Sequence, residues 1–308
     1  MKPNASRSLL SITTAASFIA LTMTACSSPG VVALPGPAGP AATSSPSPAT
    51  STLGPETDFE TPDLTTFGNP TAITNPWLPL KPGARYIYEG TTVDGKDKLA
   101  HKVDFIVTDL VKEVAGVKSV VAYVIDYEDE ELVEKELAFY AQADDKTVWY
   151  MGEHPEEFDD GEFDKAPTWF HNVADGKAGI AMPGDPQVSD RSFSEGWSQT
   201  VDFTDRGRVA AVDKKVCITL KCFEPVVVIE EFAIEEPNAT QIKYYAQGVG
   251  NVKVGWRGDD SQREELELVK MSQLNDAELA KFRKLALTLE AHAYKISKDV
   301  YGTTKPMA

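Results

Sequence analysis

The sequence predicts a mainly β protein: an antiparallel meander, half-closed or barrel-like, with one C-terminal amphipathic helix packed on it. Many short segments of alternating apolar and polar residues are separated by tight-turn sequences, and no helical pattern intervenes between them. One stripe of apolar residues at helical spacing lies near the end of the 308-residue chain. Together these patterns favour an antiparallel sheet with one helix over a doubly wound α/β fold.

The first predicted strands lie between residues 85 and 153. Arg85–Glu89 and 101–112 flank Asp94-Gly95, a strong signal for a two-residue hairpin. In the second of these strands, alternate apolar residues share one face: Val103, Phe105, Val107 and Val111. The meander continues with predicted strands over 117–127, 131–142 and 147–153.

The later strands follow the same rule of alternation. Val226, Val228, Phe232 and Ile234 alternate with Val227, Ile229 and Glu231. Links between these segments are short, as expected for an antiparallel meander. The predicted strands are 208–218, 223–234, 240–246, 250–257 and 263–271.

A single helix is predicted over residues 276–298. Asn275 is placed to cap its first turn, and Glu278 is placed to complete a capping box. Lys295 and Lys298 lie near the C-terminal end, where cations interact favourably with the helix dipole. The apolar stripe comprises Leu279, Phe282, Ala286, Leu289, Ala293 and Ile296. We expect this stripe to cover an open sheet face, and a lid over a ligand cavity is the alternative.

Residues 1–25 are predicted to be a bacterial lipoprotein signal peptide. Lys2 and Arg7 supply a positive start, and residues 9–20 are apolar but too short and too polar for a membrane span. The sequence Met23-Thr-Ala-Cys26 resembles a lipobox, in which the cysteine is diacylated and becomes the new N-terminus. Lipidation of Cys26 would anchor the protein to the outer face of the cytoplasmic membrane. An ordinary signal peptide with a coincidental cysteine is the alternative.

The segment 26–58 is predicted to be the lipidated cysteine followed by a disordered tether. Of residues 27–58, 26 are Pro, Gly, Ser, Thr or Ala, and no charge appears before Glu56. Such a composition buries too little apolar surface to offset the entropy of ordering. Residues 59–308 then form a single extracytoplasmic domain.

Charge and composition exclude two broad classes of protein. The chain has 30 Lys and Arg against 47 Asp and Glu, a formal net charge of −17. So acidic a surface repels phosphate backbones, and nucleic-acid binding is not expected. Hydrophobic residues make up 42% of the chain, which is enough for a core and argues against global disorder.

Several segments resemble a family of uncharacterised secreted bacterial proteins, frequent among actinobacterial lipoproteins. The resemblance implies one extracellular β-rich domain, and it transfers no activity and no catalytic residue. Gln247 stands where the family pattern has Pro. The matching segments are Asn75-Pro-Trp-Leu-Pro-Leu-Lys-Pro-Gly83, Tyr86-Ile-Tyr-Glu-Gly90, Tyr140-Ala-Gln142, Val148-Trp-Tyr-Met-Gly-Glu153, Ala178-Gly-Ile-Ala-Met-Pro183, Lys243-Tyr-Tyr-Ala-Gln-Gly-Val-Gly250 and Asp299-Val-Tyr-Gly302.

Motifs for metal, cofactor and nucleophilic chemistry are missing from the sequence. His101, His154, His171 and His292 are the only histidines, and no two have ligand spacing on one element. There is no Gly-x-Ser-x-Gly, no Ser-x-x-Lys and no phosphate-binding glycine loop. No metal site and no cofactor are therefore predicted. The acidic segment 156–164 does not match an EF-hand; a solvated loop is expected there, with a weak Ca²⁺ site as the alternative.

A disulfide is predicted between Cys217 and Cys222. With Cys26 acylated, these two cysteines remain in an oxidising compartment. On one straight strand their Cα atoms would be about 17 Å apart, too far for a bridge. The bond therefore requires Ile218–Lys221 to turn back between two strands, and two buried thiols in a continuous strand are the alternative.

The segment from Glu153 to Gln199 is the candidate ligand site. Its 47 residues show little periodicity, and such long irregular segments are usually lids, binding loops or insertions. It is rich in aromatic residues, which are either buried or available for a ligand. A cleft would be lined by Trp169 and His171, with the strand carrying Trp149 and Glu153 as its floor and His154 beside it. A satellite core without a ligand is the alternative.

Three functions are compatible with these patterns. We expect a membrane-anchored extracytoplasmic lipoprotein that binds a cell-envelope component or a small ligand, with the membrane contacted through the lipid anchor. The first alternative is a hydrolase of envelope polysaccharide or peptide that uses carboxylates or His154 and His171. The second is a carrier of lipids or other hydrophobic ligands, with the C-terminal helix as a lid.

Overall fold

Residues 59–308 are those that the computed structural model describes; the predicted signal peptide, Cys26 and the tether up to residue 58 lie outside them. Within this range the predicted meander and C-terminal helix are confirmed. No helix of the described range is long and apolar enough to span a membrane. The strands are β1 (Ala84–Asp94), β2 (Asp97–Val114), β3 (Val117–Glu128), β4 (Glu131–Gln142), β5 (Val148–Asp159), β6 (Glu162–Lys165), β7 (Trp169–Phe170), β8 (Lys177–Met182), β9 (Phe193–Ser194), β10 (Gly196–Trp197), β11 (Asp205–Cys217), β12 (Cys222–Ala233), β13 (Ala239–Ala246), β14 (Gly250–Gly258) and β15 (Glu265–Gln273), and the helices are α1 (Asp276–Ile296) and α2 (Lys298–Tyr301).

The strands form one antiparallel sheet that closes almost completely into a barrel. Its order is β10-β8-β5-β4-β3-β2-β1-β15-β14-β13-β12-β11-β9, with β6 and β7 paired to β5. The two outermost strands, β9 and β10, are neighbours in sequence. The segment 193–197 therefore pairs with β11 through its first half and with β8 through its second half. One short segment thus connects the two edges of the sheet.

Two glycines let this closing segment lie flat against its neighbours. A Cβ atom on Gly179 of β8 would stand 2.2 Å from the backbone carbon of Glu195. A Cβ atom on Gly207 of β11 would stand 2.6 Å from the ring of Phe193 and 2.7 Å from the Glu195 carboxyl. Any larger residue at either position would push the closing segment away from the sheet.

Two apolar cores lie on opposite faces of the sheet. Alternate residues from both halves of the sheet fill the barrel interior, among them Val103, Val124, Tyr140, Ile229 and Val254. The other core lies on the outer face of β2–β5, where α1 and α2 cover it. Helix α1 therefore covers the outside of the sheet, as expected from its stripe.

Helix α1 begins as predicted and ends two residues early. The side chain of Asn275 accepts from the Glu278 backbone N–H, and the Glu278 carboxylate accepts from the Asn275 N–H, which is a complete capping box. Phe282, Ala286, Leu289 and Ala293 are buried, whereas Leu279 is half-buried. The prediction for Ile296 was wrong: it is 38% exposed, because the helix ends there and the chain turns into α2.

The acidic segment 156–164 forms a hairpin and not the expected loop. Asp160 and Gly161, both with positive φ, make the turn between β5 and β6. Phe158 and Phe163 are paired across the hairpin, and the buried Glu157 forms an ion pair with Lys165. The aromatic alternation on both sides of Asp-Gly is the signal that a hairpin forms here.

The disulfide between Cys217 and Cys222 is confirmed. It joins the last residue of β11 to the first residue of β12, which are also register partners. The intervening residues turn back as the bond requires: the Ile218 N–H donates to the Lys221 carbonyl at 3.1 Å. The bond closes the end of a long hairpin in the barrel wall.

Candidate functional site

The residues predicted for one cleft are separated by a bulge in β5. Tyr140 pairs with Tyr150 and Phe139 with Gly152, so one extra residue is inserted between them. Trp149 therefore faces the outer core, whereas Glu153 faces the barrel interior. On a regular strand these two side chains would share a face. The predicted floor of the cleft was wrong for this reason.

Glu153 and Trp169 meet inside the barrel. The Trp169 indole donates to Glu153 at 3.0 Å. The Tyr150 hydroxyl lies 2.7 Å from Glu136 and 2.5 Å from Glu153. A hydroxyl has one proton, so one of these carboxyl groups must donate to it. Burial, and then the nearby charge of Glu136, raise the pKa of Glu153 well above its ordinary value, which favours Glu153 as the group that carries the proton.

His154 lies on the other face of the sheet, below the helices. Its ring nitrogens lie 2.6 Å from the Thr168 hydroxyl and 3.2 Å from Glu156, and Glu156 also contacts His292 at 2.7 Å. Burial lowers the pKa of His154, so its ring is neutral near pH 7. All partners of His154 are residues of the fold, and it reaches neither Glu153 nor Trp169 through a hydrogen bond.

His171 lies apart from the other candidates. Its Nδ1 atom accepts from the Ala178 N–H at 3.0 Å, and burial lowers its pKa. It borders a surface groove of about 450 Å³ between the β2–β3 turn and the chain after α2. The five predicted residues thus lie in three environments: Glu153 and Trp169 in the barrel interior, Trp149 and His154 on the outer face of the sheet, and His171 at the surface groove.

A cavity of about 60 Å³ lies in the barrel interior. Leu78, Pro79 and Leu80, from the chain before β1, form part of its wall, and Ala181 of β8 forms another part. No residue of α1 borders this cavity. Its walls carry seven aromatic side chains: Tyr86, Tyr88, Phe105, Tyr140, Tyr150, Phe203 and Tyr245.

Three charged side chains border the same cavity: Glu195, Glu231 and Lys243. Lys243 forms an ion pair with Glu231, and the carboxyl groups of Glu231 and Glu195 are hydrogen-bonded to each other. Burial raises the pKa of Glu195 well above its ordinary value, and the charge of Glu231 adds to the shift. Burial alone would lower the pKa of Lys243, but its two carboxylate neighbours outweigh burial and raise it. These shifts favour the protonated form of Glu195 and the charged form of Lys243.

Asn251 adds a polar group to the cavity wall. It is 7% exposed, and its side-chain oxygen accepts from the Lys253 N–H at 3.0 Å. Its side-chain amide nitrogen finds no acceptor among the described residues. A buried donor without a partner costs stability, so its presence at a cavity needs a reason.

The cavity collects residues that are far apart in sequence. Of the seven segments singled out above, the six that precede the C-terminal helix each contribute to its wall, whereas 299–302 does not. Glu195 lies in the segment 153–199 that was predicted to carry function. The residues that sequence reasoning missed are Glu195, Glu231, Lys243, Asn251 and the seven aromatic side chains. The sequence signal that could have found them is the spacing of two residues along a strand. This spacing puts Tyr86 and Tyr88 on one face of their strand, and Lys243 and Tyr245 on one face of theirs.

Metal coordination has no support in the described residues, where no group of three or more His, Cys, Asp or Glu side chains is arranged to hold an ion. The hairpin 156–164 is included in that range. The cavity groups are carboxyl, ammonium, amide and aromatic. These groups can form hydrogen bonds with a ligand, and the aromatic rings can pack against it.

Comparison with known proteins gives distant structural likenesses. No protein-family model matches the chain, and no curated protein matches it, so the family resemblance stays a prediction. A solved protein from Bacteroides fragilis, classed as exported and having a YmcC-like fold, is 13% identical over 64% of this chain and 98% of that chain, with a TM-score of 0.37. One from Parabacteroides distasonis, classed as a lipoprotein, is 10% identical over the same shares, with a TM-score of 0.32. Likenesses this distant carry no function to this chain.

Proposed function

We propose that this protein is an extracytoplasmic lipoprotein that binds a small organic ligand in the cavity of its barrel. The observation that carries the proposal is the cavity itself, in which aromatic walls surround a few convergent polar groups. Ligand sites typically combine an apolar lining with a small number of placed polar side chains. The cavity is small, so the ligand, or the part of it that enters, has few atoms.

The position of the cavity favours binding within the barrel over a carrier with a helical lid. Helix α1 packs on the outer face of the sheet, and none of its residues borders the cavity. The cavity is bordered instead by the chain before β1, through Leu78 and Pro79, and by the β13–β14 turn, through Val249 and Gly250.

Ligand binding is tested by filling the cavity. Ala181 is half-buried and borders it, so Ala181→Phe should occupy the space. Ala100→Phe, at an exposed position of β2, is the matched control. Ligand-observed NMR on the full mature chain, in a non-ionic detergent, would use phenol, cyclohexanol, choline and n-butylammonium as probes.

We expect at least one probe to bind the wild type and the Ala100→Phe variant, and not the Ala181→Phe variant. Where Ala181→Phe lowers the melting temperature strongly, Val249→Phe at the turn serves as a second filling variant. If no probe binds the wild type, or if both filling variants bind as the wild type does, the proposed site is wrong.

A hydrolase is the second candidate, because two carboxyl groups with shifted pKa values meet at the cavity. Glycosidase carboxyl pairs stand roughly 5–10 Å apart so that substrate or water fits between them. Glu195 and Glu231 are instead hydrogen-bonded to each other, and Glu231 is engaged by Lys243. We therefore expect no release of sugars or peptides from purified cell-wall material, and release that Glu231→Gln abolishes would establish the hydrolase.

The anchor is proposed from the sequence around Cys26. Replacing Cys26 with Ala removes the thiol that would carry the acyl chains, so the variant should leave the membrane fraction or stay unprocessed. Fractionation by immunoblot and the mass of the mature N-terminus measure this. Unchanged membrane fractionation, together with a wild-type N-terminus that carries no acyl mass, contradicts lipidation.

A further inference from the structure

We propose that the ligand of the barrel cavity carries an organic ammonium group, which is held by the aromatic ring faces of the cavity wall and by the Glu195 carboxylate. This inference rests on the proposed function, because it names the class of molecule for the same cavity. On this inference the cavity binds amines and quaternary ammonium compounds in preference to neutral and anionic molecules.

The first argument is the density of aromatic rings around one small space. Ring faces carry partial negative charge and attract cations, and a quaternary ammonium group is the type of ligand that clustered rings recognise. Tyr140 and Tyr150 are stacked, with centroids 5.0 Å apart, and Phe203 lies 6.3 Å from Tyr150. Burial raises the pKa of Tyr88 and Tyr245, so their hydroxyls stay neutral.

The second argument is the balance of charge at the cavity wall. Glu195 and Glu231 stand against one ammonium, that of Lys243. A further carboxylate, Asp205, also acts on Glu195. This excess of acid adds to the effect of burial in raising the pKa of Glu195 and so favours its protonated form. A ligand cation beside Glu195 would supply the missing positive charge and release that proton.

The third argument is the fixed position of the Glu195 carboxyl. Glu195 stands between β9 and β10, and its N–H donates to the Asp205 carbonyl at 2.8 Å. Its carboxyl lies against Gly207, where no side chain could be accommodated. Glu195 is half-buried and borders the cavity. The backbone of Glu195 and its contact with Gly207 thus hold the carboxyl in place at the cavity wall.

The size of the cavity and the Asn251 amide restrict the size and the chemistry of the candidate ligand further. A site needs roughly 10–15 Å³ of such space for each water molecule, so about 60 Å³ matches an ammonium head with a few carbon atoms. The amide nitrogen of Asn251 lacks an acceptor among the described residues, and an oxygen close to the ligand's ammonium group could accept from it. An amino alcohol combines these features.

The test compares a cation with its neutral isostere. Choline and 3,3-dimethylbutan-1-ol have the same shape and the same hydroxyl group, and they differ in charge. Calorimetric titration of the full mature chain should give choline an affinity at least 10-fold higher. Glu195→Gln should lower the affinity for choline about 10-fold and leave that for the alcohol unchanged. Glu89→Gln, an exposed acid on β1, is the control and should change neither.

Proton release provides a readout specific to Glu195. Choline titrations in two buffers of different ionisation enthalpy should show release of up to one proton per bound cation near pH 7. Glu195→Gln should abolish this release. The other groups that face Glu195 and could respond are Glu231 of β12, Asp205 of β11, Lys243 and Tyr245 of β13, and Tyr140 of β4.

The outcomes distinguish this inference from the proposed function. Equal affinity for choline and the alcohol, both lost on filling the cavity, overturns the ammonium ligand and keeps the barrel site. Binding of phenol or cyclohexanol without binding of choline or n-butylammonium has the same meaning. Absence of binding by every probe overturns both. Choline binding that is unchanged in Glu195→Gln removes Glu195 from the site and overturns the inference.

Discussion

Lys112 and Lys243 are both buried lysines, and they lie on opposite faces of the sheet. Lys112 lies on the outer face, where it donates to Glu290 at 2.8 Å, to the Tyr294 hydroxyl at 3.1 Å and to the Lys305 carbonyl at 2.7 Å. An ammonium has three N–H donors, so all are used by the protein. The Tyr301 ring lies 4.5 Å away and completes its surroundings.

Lys243, in contrast, lies in the wall of a cavity that also exposes two carboxyl groups. Its partner Glu231 is shared with Glu195, and the acids outnumber the cation. The two regions therefore differ in the balance of acidic and basic groups and in the free space beside the lysine. A buried ion pair that is fully satisfied and closely packed holds elements together, whereas one beside a cavity and an extra acid can respond to a ligand.

The largest effect is expected on the outer face. Lys112→Met leaves Glu290 buried among the Met307 backbone and tyrosine rings without its cation, and breaking a buried pair costs about 3–5 kcal/mol. Denaturant unfolding of the full mature chain measures the loss. Lys305→Met, which removes an exposed pair with Glu113, should cost under about 1 kcal/mol. Equal losses in the two variants would show that the Lys112 pair contributes no more than a surface pair.

A stabilising change is expected inside the barrel at Glu153. Its pKa is raised in the folded chain, so above the ordinary value of 4.5 the unfolded chain loses the proton first, and wild-type stability falls as pH rises. Glu153→Gln keeps a neutral side chain in both states. Above pH 4.5 the stability of the variant relative to the wild type should therefore rise by up to about 1.4 kcal/mol per pH unit until the pH reaches the pKa of Glu153 in the folded chain.

Unfolding at pH 4.5, 5.5 and 7 checks this slope. Glu130→Gln, at an exposed turn, is the control and should show a constant difference from the wild type. A constant difference for Glu153→Gln as well would mean that Glu153 is ionised in the fold.

Replacing Lys243 should cost less than replacing Lys112. In Lys243→Met the orphaned Glu231 can take a proton beside Glu195, and the cavity admits water, so the expected loss is roughly 2–3 kcal/mol at pH 7. The loss should shrink towards pH 5, where protonation of Glu231 becomes easier. Unfolding curves at both pH values measure it. A loss at pH 5 as large as at pH 7 would contradict this account.

The smallest effect is expected at the end of the β11–β12 hairpin. Removing the disulfide by the double change Cys217→Ser and Cys222→Ser should cost about 2 kcal/mol, because the closed loop is short. Ser119→Ala, at a buried hydroxyl of β3, is a comparison outside the hairpin. Titration of thiols in the unreduced, denatured wild type should detect no reactive Cys217 or Cys222, and two reactive thiols would contradict the bond.

The strands and the helix could be predicted because their signals are local. Period-two alternation, Asp-Gly turns and the Asn275–Glu278 capping box each involve residues within one or two turns of chain. The disulfide was also predictable, since the reach of five residues allows only a turn. Predicted strand ends differ from the observed ones by a few residues in most cases, and β5 extends six residues further because the acidic segment after it forms a hairpin.

The predicted cleft was wrong for reasons that are not local. The bulge in β5 reverses the facing of every residue beyond it, so Trp149 and Glu153 separate although their spacing is even. Glu290 was also missed: its spacing from Ala286 and Ala293 places it beside the apolar stripe of the helix, and only its contact with Lys112 of β2 explains why an acid is buried there.

The strands, the helix and the apolar stripe by which the helix packs could be predicted from the sequence alone. Those properties follow from side-chain periodicity and turn chemistry, which act over a few residues. The face of each strand that lies inside the barrel, and the set of residues that share the cavity, depend instead on how the sheet bulges and closes. Glu231 and Lys243 lie on the neighbouring strands β12 and β13, and closure of the barrel brings Glu195 to them, a contact that no local pattern encodes.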